Sequence, residues 1–153
     1  MKITSVQNQT IKDLVKLQHK KHRDEKNQLL IEGDHLIEEA TRANLLIETY
    51  GLENEDVIIS DNVAKKLSQT KSGSKRFALI HKPKQTLVEG ARFLVLDKVQ
   101  DPGNVGTCIR SAYSFGYDGV ILSFDSADEF NDKSIRASQG AIFHIPTIRM
   151  DLK

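Results

Sequence analysis

Apolar residues occur in short runs separated by polar segments, and their spacing predicts alternating strands and helices. The first part of the chain predicts a helix that starts near Asn8 or Thr10, followed by strands at 29–31, 45–47, 57–59 and 77–80 and helices at 34–43 and 61–67. The second part predicts strands at 92–98, 119–123 and 142–148, with helices at 105–115 and near 133–138. This alternation is typical of an α/β fold.

A polar segment between these two parts, Lys82-Pro83-Lys84-Gln85-Thr86, predicts a linker. We place the domain boundary there, which gives domains 1–84 and 85–153. The second domain then holds about half of a doubly wound sheet and is shorter than the ~100–150 residues of a usual domain. We therefore expect the sequence to be a truncated part of a longer protein.

Composition excludes several classes of protein and site. The 153 residues are 39% hydrophobic and 28% charged, with neither a membrane-spanning run nor a signal-peptide pattern. We therefore expect a cytoplasmic protein without a membrane partner. Cys108 is the only cysteine, which excludes an intramolecular disulfide and a cysteine-rich zinc site, and the five histidines lack ligand spacing. No metal is expected.

Positive charge is concentrated near the amino terminus, although the net charge is only +1. Residues 1–26 contain seven Lys or Arg and three Asp or Glu. Residues 27–56 contain one Lys or Arg and eight Asp or Glu. On a continuous helix, one stripe would carry Lys12, Lys16, His19, Lys20 and Arg23. Such a stripe is suited to a phosphate backbone. A solvated surface face is the alternative, and charge alone favours it.

The segment Leu96–Arg110 combines a strand end, a glycine-containing turn and a helix start. The run 93–96 predicts a buried parallel strand. Gly103 and Gly106 would let a ligand approach the free N–H groups of the helix start, which favour an anionic or polar group. Asn104 and Arg110 are the candidate functional side chains. The alternatives are that Asn104 only caps the helix and that Arg110 pairs with an acid, namely Asp97, Asp101 or Asp118.

This segment resembles the first signature motif of the SpoU-type (TrmH-like) RNA ribose methyltransferases of the SPOUT superfamily. The first part of the chain is similar to the family's amino-terminal substrate-binding domain. The similar residues are Asn8, Lys12, Leu14, Leu17, Lys20, Arg23 and Ile31-Glu32-Gly33. Residues 130–133, 136–143 and Pro146 resemble the segment after the second strand of its catalytic domain, with Asp132 where a proline is frequent. The resemblance spans nearly the whole chain.

The resemblance implies a small ribosomal-protein-like α/β RNA-binding domain, followed by the amino-terminal half of a Rossmann-like α/β-knot methyltransferase domain. It implies transfer of a methyl group from S-adenosyl-L-methionine to a ribose 2′-hydroxyl of ribosomal or transfer RNA. The family's second and third motifs form the knot, hold the cofactor and build much of a homodimer interface. We expect them beyond Lys153, so the chain alone should be inactive.

Roles for individual residues follow from the same resemblance. Arg110 would hold a phosphate and stabilise charge on the reacting oxygen, and Asn104 would orient Arg110 or the ribose. The expected RNA-binding residues are Lys12, Lys16, Lys20, Arg23 and Arg136. For Arg136, the alternative is a helix-end salt bridge. A non-catalytic RNA-binding module remains the alternative function. A dinucleotide site is disfavoured because residues 103–106 lack the full glycine spacing.

Overall fold

The computed structural model describes residues 1–86, 89–90 and 92–153. The chain divides into two compact units, Met1–Lys82 and Pro83–Lys153. Both combine strands and helices, so the predicted α/β class is confirmed. No helix in the described ranges is long and apolar enough to cross a membrane.

The first unit is built around a mixed sheet. Its strands are β1 (Lys2–Ile3), β2 (Gln28–Glu32), β3 (Leu46–Gly51), β4 (Val57–Ile59) and β5 (Arg76–His81), in the order β1-β4-β3-β5-β2. β4 is parallel to β1 and β3, whereas β5 is antiparallel to β2 and β3. The helices are α1 (Gln9–Lys16), α2 (Lys20–Lys26), α3 (Asp34–Arg42) and α4 (Asp61–Leu67). Its core includes Ile11, Tyr50, Val63 and Phe77.

The expected continuous first helix is wrong, because it is broken between α1 and α2. Asn8 caps α1 by accepting a hydrogen bond from the backbone N of Thr10 at 2.9 Å. Leu17 follows the last residue of α1, and its carbonyl accepts a hydrogen bond from Nη1 of Arg23 at 3.1 Å. Arg23 is only 7% exposed. Its guanidinium therefore satisfies a helix-end carbonyl, which would otherwise lack a partner, and does not lie on the basic stripe.

The second unit contains a parallel sheet in the order β6-β7-β8. Its elements are β6 (Phe93–Leu96), α5 (Pro102–Ser114), β7 (Gly119–Leu122), α6 (Asp132–Ala137), a 3-10 turn (Ala141–Phe143) and β8 (Thr147–Arg149). The strand expected at 142–148 is wrong in its first half. Gly140, at φ 84°, turns the chain into the 3-10 turn. Pro146 has no N–H for a ladder, and only its carbonyl pairs with β7, accepting from Val120 N at 3.0 Å.

The two faces of this sheet differ in burial. Leu96 and Leu122 are paired neighbours on one face, and both are buried. Val95 and its neighbour Ile121 lie on the opposite face, because side chains alternate along a strand. Val95 is 49% exposed, so β6 is buried on one side only, in contrast to the expected fully buried strand.

Candidate functional site

The carboxyl ends of β6, β7 and β8 meet at one edge of the sheet, where ligands bind in open α/β folds. A cleft of about 350 Å³ lies at this edge, lined by Asp97, Lys98, Ser123, Phe124, Asp125 and residues 150–153. Phe124 is 69% exposed. Asp97 and Asp125 are also exposed. The cleft therefore offers an aromatic ring and two carboxylates to a ligand.

Hydrogen bonds hold the two loops below this cleft in place. Ser123 Oγ accepts from Lys98 N at 2.8 Å, and Ser126 Oγ accepts from Val99 N at 3.1 Å. The two hydroxyl oxygens are 2.9 Å apart, and Ser126 Oγ donates to Leu96 O at 3.1 Å. Lys98 adopts a left-handed conformation with φ 57°. The end of β6 is thereby fixed against the loop after β7.

Arg149, at the end of β8, is a structural residue that sequence reasoning missed. Its Nη1 donates to the carbonyls of Ser123 and Ser126 at 3.1 and 2.8 Å, and its Nη2 donates to the carbonyl of Ala127. Its Nε lies 3.3 Å from Oε1 of Glu129. One guanidinium therefore holds the loop after β7 to β8. No sequence signal marks this contact, because the partners are distant along the chain.

Glu129, the acidic partner in this contact, is 2% exposed. Burial raises the pKa of Glu129, and the positive charge of Arg149 offsets only part of that rise. Gln85 Nε2 also donates to Oε2 of Glu129, at 3.0 Å. The carboxyl group is thus held in place although its charged form is disfavoured.

Asn104 does not cap α5, so the capping alternative for this residue is wrong. Asp101 is the cap residue, and its Oδ2 accepts from the backbone N of Asn104 at 2.9 Å. Pro102 follows as the first helical residue, where its missing N–H has no cost. The Asn104 side chain is exposed and makes no hydrogen bond with the described residues. Its amide is therefore available to a ligand.

Gly106 faces a neighbouring helix, which corrects the expectation that it admits a ligand. A Cβ atom at Gly106 would lie 2.1 Å from the carbonyl oxygen of Ser134 and 2.8 Å from Cβ of Ala137. Both residues belong to α6. The glycine therefore permits close packing of α5 against α6.

Arg110 is exposed on α5 and makes no hydrogen bond or salt bridge within the described part of the chain. The alternative of an acid partner therefore fails for this side chain. Asp101 caps the helix, and Asp118 accepts from the backbone N of Arg92 at 2.9 Å. The planar guanidinium of Arg110 is thus free to bind two oxygen atoms of an anion.

The expected RNA-binding residues are in different environments. Lys12 and Lys16 are exposed on α1, and Lys20 is exposed on α2 beside Asp24. Arg23 is buried, as described above. Arg136 donates from Nε and Nη2 to the same oxygen of Asp132, at 2.9 and 2.8 Å. The salt-bridge alternative for Arg136 is therefore present.

Comparison with known proteins connects these features to one family. Residues 91–153 match the model of the SpoU rRNA Methylase family, and residues 8–78 match the MRM3-like substrate binding domain. The chain thus combines a match to a SpoU rRNA methylase domain with a match to an MRM3-like substrate binding domain. The resemblance found in the sequence is thereby confirmed.

Individual SpoU relatives extend over nearly the whole chain. The 23S rRNA (guanosine(2553)-2′-O)-methyltransferase RlmP of Bacillus subtilis is 37% identical, over 98% of this chain and 65% of the relative. A crystal structure of an RNA 2′-O ribose methyltransferase has a TM-score of 0.82 and 31% identity, with 99% of this chain and 66% of that chain covered. An AdoMet-bound rRNA methyltransferase from Sinorhizobium meliloti has a TM-score of 0.84 and 28% identity, with coverages of 99% and 65%. The chain thus spans just under two thirds of these SpoU proteins.

Proposed function

We propose that the protein containing this chain transfers a methyl group from S-adenosylmethionine to a ribose 2′-hydroxyl of RNA, with ribosomal RNA as the substrate class. The observation that carries this proposal is that Arg110 is exposed and has no acid partner among the described residues. Arg110 lies within the segment that matches the SpoU family. The relatives' names support the substrate class. A non-catalytic RNA-binding module is not favoured, since a methyltransferase matches 98% of the chain.

In this proposal Arg110 binds the RNA and does not act as a base. A guanidinium offers five N–H donors and no acceptor, so it cannot take the proton of the 2′-hydroxyl. It would hold two phosphate oxygens, position the ribose and stabilise negative charge that develops on the 2′-oxygen. The proton would go to a phosphate oxygen or to water. The exposed amide of Asn104 would orient the ribose or the Arg110 side chain.

The cleft at the strand ends fits one side of a site for the methyl donor. S-adenosylmethionine, when bound, supplies an electrophilic methyl group on a sulfonium. Phe124 is exposed enough to lie against a flat ring, and the carboxylates of Asp97 and Asp125 could accept hydrogen bonds from hydroxyl groups. We propose these residues as one wall of the cofactor site.

The first unit is proposed to bind RNA through Lys12 and Lys16 of α1 and Lys20 of α2. All three are exposed, so their ammonium groups can neutralise phosphates of the RNA. This neutralisation favours binding because it releases the counterions held by the RNA. For the complete protein we propose a homodimer, on the basis of its family.

The decisive experiment is substitution of Arg110 in the protein extended to the length of its relatives. We expect Arg110→Ala to lower the rate of single-turnover methylation by roughly two to four orders of magnitude, the scale of a main electrostatic or acid–base contribution. Arg110→Lys should restore little, because it keeps the charge and loses the planar fork. Donor affinity and melting temperature should change little.

Arg92→Ala provides the matched control, since Arg92 is an exposed arginine of the same unit and lies 5.8 Å from the ring centre of Tyr117. Its methylation rate should equal that of the wild type. If Arg110→Ala melts early but methylates at the wild-type rate when folded, Arg110 has a structural role and the proposed mechanism is wrong.

A further inference from the structure

Two aromatic side chains of the second unit form a stacked pair that the proposed chemistry does not use. The rings of Tyr113 and His144 have centroids 5.4 Å apart and planes inclined by 20°. Tyr113 lies on α5 and is 47% exposed. His144 follows the 3-10 turn, and its backbone N donates to Ala141 O at 2.9 Å. The imidazole therefore supports one face of a tyrosine ring that remains half exposed.

The surroundings of this pair favour a nucleic acid as its ligand. Residues three apart on a helix are neighbours on its surface, so Arg110 lies next to Tyr113. Arg110 is exposed and has no partner among the described residues. An unpaired cation beside an aromatic ring is the chemistry that binds single-stranded RNA, in which phosphates pair with the cation and bases stack on the ring.

A protein partner fits this surface less well. The exposed α5 side chains three and four residues from Arg110 are polar, namely Thr107 and Ser114. The centre of a protein interface is more apolar than its rim, and Thr107 and Ser114 do not supply such a centre. The single ring next to a cation is instead the size of one base.

We propose that Tyr113, supported by His144, stacks on an unpaired nucleobase of the RNA whose phosphate is held by Arg110. This inference rests on the proposed function, because it takes RNA as the substrate. It adds a binding subsite for a base next to the modified ribose. The rings position the nucleotide and take no part in proton or methyl transfer.

The test compares two ligands of equal length, oligoadenylate and an abasic ribose-phosphate oligomer, in equilibrium binding to the 153-residue chain. Tyr113→Ala should weaken oligoadenylate binding about fivefold to a hundredfold, the range for loss of one stacked base, and leave abasic binding unchanged. Tyr113→Phe should keep the wild-type affinity, since it keeps the ring. The matched control is Phe115→Ala, because Phe115 is 74% exposed and directly follows α5, about 200° around the helix axis from Tyr113.

A second readout uses the absence of tryptophan from the sequence. Tyr113→Trp introduces a single fluorophore at the stacking position, and Phe115→Trp introduces one at the control position. Oligoadenylate should quench the fluorescence of the first variant and not of the second. The abasic oligomer should quench neither.

Three outcomes would overturn the inference. If Tyr113→Ala binds oligoadenylate as the wild type does and Tyr113→Trp is not quenched, the base subsite is wrong while the proposed function stands. If the wild-type chain binds no RNA at all, the subsite and the proposed function fail together. If Tyr113→Ala converts a dimer to a monomer in sedimentation and leaves RNA affinity unchanged, the rings form a protein interface instead.

Discussion

Gly106 shows how the lack of one side chain sets the distance between two helices. A methyl group at this position would overlap the backbone of α6, which cannot move as a flexible side chain can. We expect Gly106→Ala to destabilise the second unit by about 1–3 kcal/mol or more, the cost of overpacking a core. Denaturant unfolding followed by circular dichroism measures this loss.

Ser111→Ala is the control for this prediction, since Ser111 is exposed on the same helix. Its effect should stay within about 0.5 kcal/mol. A Gly106→Ala protein as stable as this control would show that α5 and α6 separate without cost.

Glu129 should make the second unit less stable as pH rises. Its pKa is raised in the folded state by burial, so the folded chain binds this proton more tightly than the unfolded chain does. The associated stability is fully present below the ordinary pKa of 4.5 and is lost as pH rises through the higher folded value. Glu129→Gln cannot ionise. We therefore expect the stability of the wild type, relative to this variant, to fall as pH increases from about 4 towards neutrality.

The groups that face Glu129 define the controls. Arg149 favours its charged form, Asp128 opposes it, and Gln85 donates a hydrogen bond to it. Asp125→Asn, at an exposed carboxyl nearby, should not reproduce the pH trend. If the wild type instead gains stability relative to Glu129→Gln as pH rises, the charge of Arg149 outweighs burial.

Sequence reasoning could propose Asn104 and Arg110 as candidates because they lie close together in one motif. It could not find the pairs Glu129–Arg149 and Tyr113–His144. Their members come from different elements, and only the packing of the second unit brings them into contact. Nor did it recognise the contact of Gly106 with α6, since a glycine next to a helix start is equally compatible with a ligand.

At the scale of elements, most helices and strands could be predicted from the spacing of apolar residues, and the errors have local causes. The pattern of the first helix continues through Leu17, so periodicity alone gives no sign of the break before α2. At the break, the long side chain of Arg23 folds back to the carbonyl of Leu17, a contact that the spacing of apolar residues does not reveal. The run 142–148 is rich in residues that favour strands, but Gly140 and Pro146 limit pairing to its end.

The break between α1 and α2 predicts which basic residues affect RNA binding. The double substitution Lys12→Ala and Lys16→Ala should weaken binding of an RNA hairpin and flatten its salt dependence. The slope of log K against log salt should decrease by about 0.7–0.9 for each phosphate that the variant no longer neutralises. Titrations over a range of salt concentrations measure this slope.

Arg23→Ala should behave differently from the lysine variants. Loss of its hydrogen bond should cost stability, by about 1–3 kcal/mol for a buried carbonyl left unsatisfied. The salt slope of the folded protein should remain that of the wild type. An unchanged slope in the lysine double variant would remove α1 from the RNA-binding surface.

At the scale of the whole molecule, we proposed the cleft at the strand ends as only one wall of the cofactor site, which would limit what the chain can bind alone. We expect the 153-residue chain to bind S-adenosylmethionine only weakly and to show no methyl transfer. The cleft is open to solvent and would leave much of a ligand's surface exposed, whereas tight sites enclose most of it. Isothermal titration calorimetry tests this expectation. Micromolar affinity for this chain would show that the residues at the strand ends already complete the donor site.

The three-stranded sheet also has a consequence for how the protein is made. Within the described residues, β6 and β8 each pair on one side only, and Val95 exposes an apolar side chain at one of these edges. The first unit has its own core and leaves the ribosome first, so it can fold while the second is still being synthesised. The edges of β6 and β8 emerge after the first unit, and while uncovered they are templates for pairing with strands of other nascent chains. The second unit would therefore depend on chaperones until these edges are covered.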